Sequence, residues 1–164
     1  MGSTTDLRRE VKRIFIPFAL SRGFILDQKD APASWAFRRT IEDEVHIFDV
    51  QWEKYGRPRF VINFGKCPAA GLSIRGKHFL PEEILPGWVS GGRLQPKNGA
   101  HISCWFRRDK PLLVRLFSSV KRYEPSQVVS QLMELFPEVE AYWVSGVVGP
   151  HLRIFARGAH PNGS

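Results

Sequence analysis

Leu7, Val11, Ile14, Phe15, Phe18 and Ala19 recur at helical spacing, with Arg8, Arg9, Lys12 and Arg13 largely on the opposite side. The pattern predicts an amphipathic helix. Asp6 is placed to cap its start, Gly23 to end it in the left-handed conformation, and Pro17 to bend it by removing one backbone donor. From Trp35 the period changes to two. Trp35 to Ile41, Val45 to Trp52 and Arg59 to Lys66 read as strands, joined by the acidic turn Glu42-Asp43-Glu44 and by Lys54-Tyr55-Gly56-Arg57-Pro58. Side chains alternate across a strand, so Phe48, Val50 and Trp52 share a face and Phe60, Ile62 and Phe64 share another. These six form the expected core. Ile47, Asp49, Gln51, Val61 and Asn63 then face the other way, and a half-wet antiparallel sheet would leave them in solvent.

Residues 67–100 are punctuated by Cys67-Pro68, Ala70-Gly71, Leu85-Pro86-Gly87 and Gly91-Gly92, which predicts loops around one short helix near Pro81-Glu82-Glu83-Ile84. A further strand is expected from His101 to Phe106, where Ile102, Cys104 and Phe106 alternate with His101, Ser103 and Trp105. Asp109 can cap a helix with Leu112, Leu113, Leu116, Phe117 and Val120 inward and Arg115, Ser118, Ser119 and Arg122 outward. Pro125 starts another, carrying Val128, Val129, Leu132, Leu135 and Phe136, with Pro137 as its expected stop. Val139 to Arg157 reads either as a strand pair or as a broken helix. The sum is an α+β fold: an antiparallel meander of about four strands packed by an N-terminal helix and one or two C-terminal helices.

At 164 residues the chain is the size of one domain, residues 1–164, and no internal repeat divides it. Its 43% hydrophobic and 24% charged composition is that of an ordinary globule. No apolar stretch reaches the roughly 18 residues of a membrane span, so a cytoplasmic protein without a membrane partner is expected. Cys67 and Cys104 make neither a CxxC pair nor a disulfide framework and read as free thiols. The formal net charge of +8 is uneven: residues 67–124 hold ten Lys or Arg against four Asp or Glu. An excess of that kind attracts acidic proteins, nucleic acid and anionic surfaces without choosing among them.

A set of short motifs narrows the class. Ile16-Pro17-Phe18, Arg22-Gly23-Phe24, Phe37-Arg38-Arg39, Val50-Gln51, Tyr55-Gly56 and Phe60-Val61-Ile62-Asn63-Phe64-Gly65, followed by Gly92-Arg93-Leu94 and Trp105-Phe106, occur in an order that resembles the bacterial family catalogued as domain of unknown function 4304. The resemblance spans about residues 10–125 and leaves 126–164 unplaced. It implies a small bacterial α+β domain and supplies no reaction, ligand or catalytic residue.

Signatures of catalysis are weak. Gly71-Leu72-Ser73-Ile74-Arg75 has Arg where a nucleophile elbow needs its last Gly, and the sequence has neither a phosphate-binding Gly-rich loop ending in Lys-Ser/Thr nor an HExxH. The five histidines lack ligand spacing, and Glu42, Asp43 and Glu44 sit in a turn where acids are ordinarily solvated. No metal or cofactor is expected. Two surfaces remain. One is a possible groove on the outer sheet face, formed by Arg39, Asp49, Gln51 and Asn63. The other is the basic face of Arg107, Arg108, Lys110, Arg115 and Arg122, where Trp105 and Tyr123 are the aromatics left to stack once Phe106 and Phe117 are assigned inward. The function expected is a non-catalytic interaction module for an acidic protein partner, of the immunity or accessory kind. The alternatives are a weak, sequence-independent nucleic-acid binder through residues 105–123 and an enzyme of unrecognised type.

Overall fold

The structure is a computed structural model that describes residues 3–27, 33–98, 104–110, 112–119 and 122–155. An unbroken helical run opens the chain: α1 (Ser3–Glu10), a π-helical segment Val11–Phe15, and α2 (Ile16–Ser21). The wider π turn, closed by the Ile16 amide on the Val11 carbonyl, directly precedes Pro17 and eases the strain of its missing donor. The run ends at Gly23, whose φ of 82° is the left-handed value expected. Asp6 lies inside the helix rather than at its cap, and pairs with Arg108 at 3.1 Å.

Strands β1 (Ile25–Leu26), β2 (Ser34–Ile41), β3 (Glu44–Trp52) and β4 (Arg59–Pro68) form an antiparallel meander. The register pairs Phe48 with Phe64, Val50 with Ile62 and Trp52 with Phe60, so the six predicted core residues share one buried face. Against that face pack Leu7, Val11, Phe15 and Ala19 of the N-terminal run and the stripe of the last helix. Fully burying each Val, Leu or Phe among them contributes on the order of 1.5–3 kcal/mol.

The chain then departs from the sequence expectation. Residues 67–100, read as loops around one short helix, do hold a one-turn helix at Pro81–Glu83, but also a second at Pro86–Trp88, a hairpin of β5 (Leu72–Ile74) and β6 (Lys77–Phe79), and a strand of the main sheet, β7 (Gly91–Leu94). β7 pairs with β4, and its glycines are there for close approach: a Cβ on Gly91 would run into the Phe64 carbonyl oxygen, and one on Gly92 into that of Arg153. Residues 101–103 of the expected His101 to Phe106 strand lie outside the described residues, and β8 is Phe106–Arg107, paired with Arg59 and Phe60 of β4.

Both C-terminal helices also differ. α3 covers only Leu112–Phe117, and its apolar side chains point out: Leu113, Leu116 and Phe117 are 72%, 69% and 90% exposed. The helix-covered side of the sheet is already filled by the N-terminal run and by α4 (Pro125–Ser145), so α3 has no face left to cover. The expected inward placement of Leu113, Leu116 and Phe117 is therefore wrong; the side chains of Leu112 and Val120 lie outside the described residues. Pro137 does not stop α4. The buried stripe Val128, Val129, Leu132, Phe136, Val139, Trp143 continues across it, Pro137 itself is exposed, and Gly146 ends the helix at a φ of 71°. The tail returns as β9 (Leu152–Phe155) on the outer side of β7, making the sheet order β1-β2-β3-β4-β7-β9.

The outer face is not simply wet. Val45, Ile47 and Cys67 are buried there beneath Ile84, with Leu72, Phe79 and Val89 packed around them, and Val61 is buried as well. The Arg38 guanidinium fastens this cover by donating to the carbonyls of Pro81 (2.8 Å) and Ile84 (2.7 Å), and also pairs with Asp27. Burial raises the Cys67 thiol pKa against a smaller opposing pull from Arg38.

Candidate functional site

The expected groove divides between the two faces of the sheet. Asp49, Gln51 and Asn63 do converge on the outer one: the Asn63 amide donates to Asp49 Oδ1 and to Gln51 Oε1, both at 2.8 Å, and Ser34 Oγ donates to Asp49 Oδ2 at 3.1 Å. Arg93 Nε donates to Asn63 Oδ1 at 3.0 Å. The register sets Ala36, Asp49, Asn63, Arg93 and Arg153 side by side across five strands. Burial raises the Asp49 carboxyl pKa, opposed by its bonds to Asn63 and Ser34, and burial lowers that of Arg93. The groups satisfy one another and act as a clamp that pins strand register, which answers why polar residues occupy these positions.

Arg39 belongs to the other face. It follows Phe37, which pairs with the buried Phe48, so alternation turns Arg39 under the helices. Its Nη1 donates to the Arg22 carbonyl (2.9 Å) and Glu140 Oε1 (3.3 Å), and its Nη2 lies 3.2 Å from His46 Nδ1. The His46 ring is 3% exposed and stacked on Trp143 at 4.8 Å. Burial, reinforced by Arg39, lowers its pKa to about 4. This set is a part-buried polar cluster at α4, with only His46 fully covered, and lies on the face opposite Asp49, Gln51 and Asn63.

The basic face holds together at the opposite end of the sheet. Arg107 donates to the carbonyl (2.6 Å) and carboxylate (3.1 Å) of Asp109, while Arg108 donates to the Tyr123 carbonyl at 3.2 Å and pairs with Asp6. Lys110 donates to Ser118 Oγ at 3.3 Å and lies 5.2 Å above the Tyr123 ring. Arg115 and Arg122 are exposed. Two of the five cations thus hold carboxylates of this chain, and Arg115 and Arg122 stand out in solvent.

Beside this face lies a cleft of about 660 Å³, which Arg59, Lys97, Arg107, Trp105 and Tyr123 line together with the first turns of α4. Arg59 sits 4.8 Å over the Trp105 indole and donates to Glu53 at 3.4 Å. Burial alone would raise the Glu53 carboxyl pKa, but the amides of Arg57 and Tyr55, together with Arg59, bring it below the ordinary value. Sequence reasoning found Trp105, Arg107 and Tyr123 but missed Arg59 and Lys97, which arrive from other segments and carry no local signal. Among the described residues no cluster of three or more His, Cys, Asp or Glu could hold a metal ion, and no helix is long and apolar enough to cross a membrane.

No family model, no curated protein and no solved structure matches the chain.

Proposed function

We propose that this protein is a non-catalytic interaction module whose partner is an acidic protein, of the immunity or accessory kind, docked on α3 and the cations around it. The carrying observation is the exposed side of α3. Leu113, Val114, Leu116 and Phe117 are exposed apolar side chains of α3, with the exposed Arg115 in the same helix and the exposed Arg122 five residues past its end. An apolar centre with a charged rim is the anatomy of a protein interface, with the apolar anchors supplying affinity and the rim steering and selecting the partner. The matching surface is an apolar groove edged by carboxylates. A helix presenting Leu and Phe to such a groove is a recurrent recognition mode.

The test uses three purified forms: native, R115E/R122E, and L116S/F117S. Exposed substitutions leave stability within about 0.5 kcal/mol, so both variants are expected to keep the native melting temperature. A protein captured by the native form is then purified and titrated against all three. Each pair of substitutions is expected to weaken binding at least about tenfold, the charge pair most at low salt. A partner whose affinity is indifferent to both pairs overturns the proposal, as does a native form that captures nothing above background.

A further inference from the structure

We propose that the cleft between β8 and the start of α4 is a nucleotide site, taking a phosphate on its cations and a base against its aromatic rings. This goes beyond the partner surface and uses other residues. Of the three cations in the lining, Arg59, Lys97 and Arg107, Arg59 and Arg107 also hold carboxylates of this chain, Glu53 at 3.4 Å and Asp109 at 3.1 Å, and no carboxylate lines the cleft itself among the described residues. Lys97 is exposed and makes no ion pair with a carboxylate among the described residues. Lys97, uncompensated within the cleft, favours an anionic occupant. A bare anion is far too small, because about 660 Å³ is in the range of sites for whole organic molecules.

The rest of the lining says what else the anion carries. Trp105 and Tyr123 supply flat rings; Arg59 covers one face of the indole at 4.8 Å and Lys110 one face of the Tyr123 ring at 5.2 Å, so a base would stack on the faces opposite. Gln127 and Gln131 add carboxamides at the edge of a base: Gln127 Oε1 already accepts from the Glu124 amide at 3.1 Å, so its NH2 is the group on offer, while Gln131 already donates to the Pro96 carbonyl at 3.3 Å and keeps its own carbonyl to accept. Cations for phosphate, rings for stacking and carboxamides for an edge are the groups that recognise a nucleotide, free or as a unit of a single strand. An acidic peptide would use the cations and leave the rings idle. The sequence has no Gly-rich phosphate loop, so recognition here rests on side chains.

The experiment is calorimetric titration of the full chain, with tryptophan fluorescence as a second readout. The probes are uridine and adenosine 5′-monophosphate, ribose 5-phosphate, adenosine, inorganic phosphate and a uridine hexanucleotide. A monophosphate is expected to bind at least about tenfold tighter than ribose 5-phosphate or adenosine, because each of those lacks one half of the recognition. K97A and W105A should each weaken it about tenfold or more, W105F should keep most of the affinity, and R115E/R122E should not change it. Should W105A fail to fold, K97A and W105F carry the comparison. A hexanucleotide that binds more tightly than the monophosphate identifies a single strand as the source, and equal affinity identifies the free nucleotide. Ribose 5-phosphate or inorganic phosphate binding as tightly as the nucleotides overturns the site, as do an unaffected K97A or no saturable binding by about 1 mM. R115E/R122E separates the two proposals, since a loss there with K97A unaffected moves the anion to the partner surface.

Discussion

His46 makes acid stability a direct test of the packing beneath α4. Its ring lies flat on Trp143 and its Nδ1 faces Arg39 Nη2 at 3.2 Å. Because the guanidinium can only donate, Nδ1 must accept and the imidazole must be neutral. Protonation would set a second cation against Arg39 in a buried position, with Lys66 adding to the repulsion and Glu44, whose Oε2 is 3.9 Å from Nε2, offsetting only part of the cost. The unfolded chain takes up this proton from about pH 6.5 downward and the folded chain only near 4, so the histidine supports folding fully above pH 6.5 and loses that support as pH falls to 4. The full span corresponds to about 3 kcal/mol, and by pH 5 about 2 kcal/mol of it is gone. The assay is urea unfolding of native protein and H46Q at several pH values from 8 to 5. Carboxylates titrate in both forms and cancel in the difference. Whatever H46Q costs at pH 8 through lost stacking, the gap between the two should close by about 2 kcal/mol at pH 5. A gap that stays constant within about 0.5 kcal/mol would mean that His46 titrates normally and that the ring is not sealed as described.

Two further outcomes follow from the sheet. G91A should cost roughly 1–3 kcal/mol or more, or prevent folding, because its Cβ meets the Phe64 backbone and a strand cannot shift as a flexible side chain can; a native melting temperature would mean that β7 does not lie against β4. V50D should unfold the domain by burying an unpaired charge, whereas Q51A should cost only about 1 kcal/mol for one hydrogen bond within the clamp; equal losses by denaturant unfolding would show that the two faces are wrongly assigned.

How much of this was legible follows from the range of each signal. The meander could be read because alternation and turn chemistry are local: Phe48, Val50 and Trp52 declare a face within five residues, and Lys54 to Pro58 declares a turn. Strand β7 could not, since Gly91 and Gly92 carry no strand propensity and are strand residues only because Phe64 and Arg153 press against them. Pro137 misled for the same reason, a local breaker overruled by an apolar stripe packed along α4. In the candidate sites, the cations from Arg107 to Arg122 announced themselves by adjacency, whereas Arg39 was assigned to the wrong face and Arg59 and Lys97 were invisible.

The sequence by itself determined the class, the N-terminal helix, the three central strands and the six residues of their core, because each depends on a period that the chain carries within one segment. Tertiary structure decided which segments share the sheet. Three stretches had helix patterns with an apolar side, but the face could hold only the N-terminal run and α4. Local periodicity cannot rank competitors for one surface, since their burial depends on volume and shape summed over the whole fold. That competition left Leu113, Leu116 and Phe117 in water. Long-range assembly likewise brought Arg59, Lys97 and Arg107 to one cleft from segments that have nothing in common along the chain.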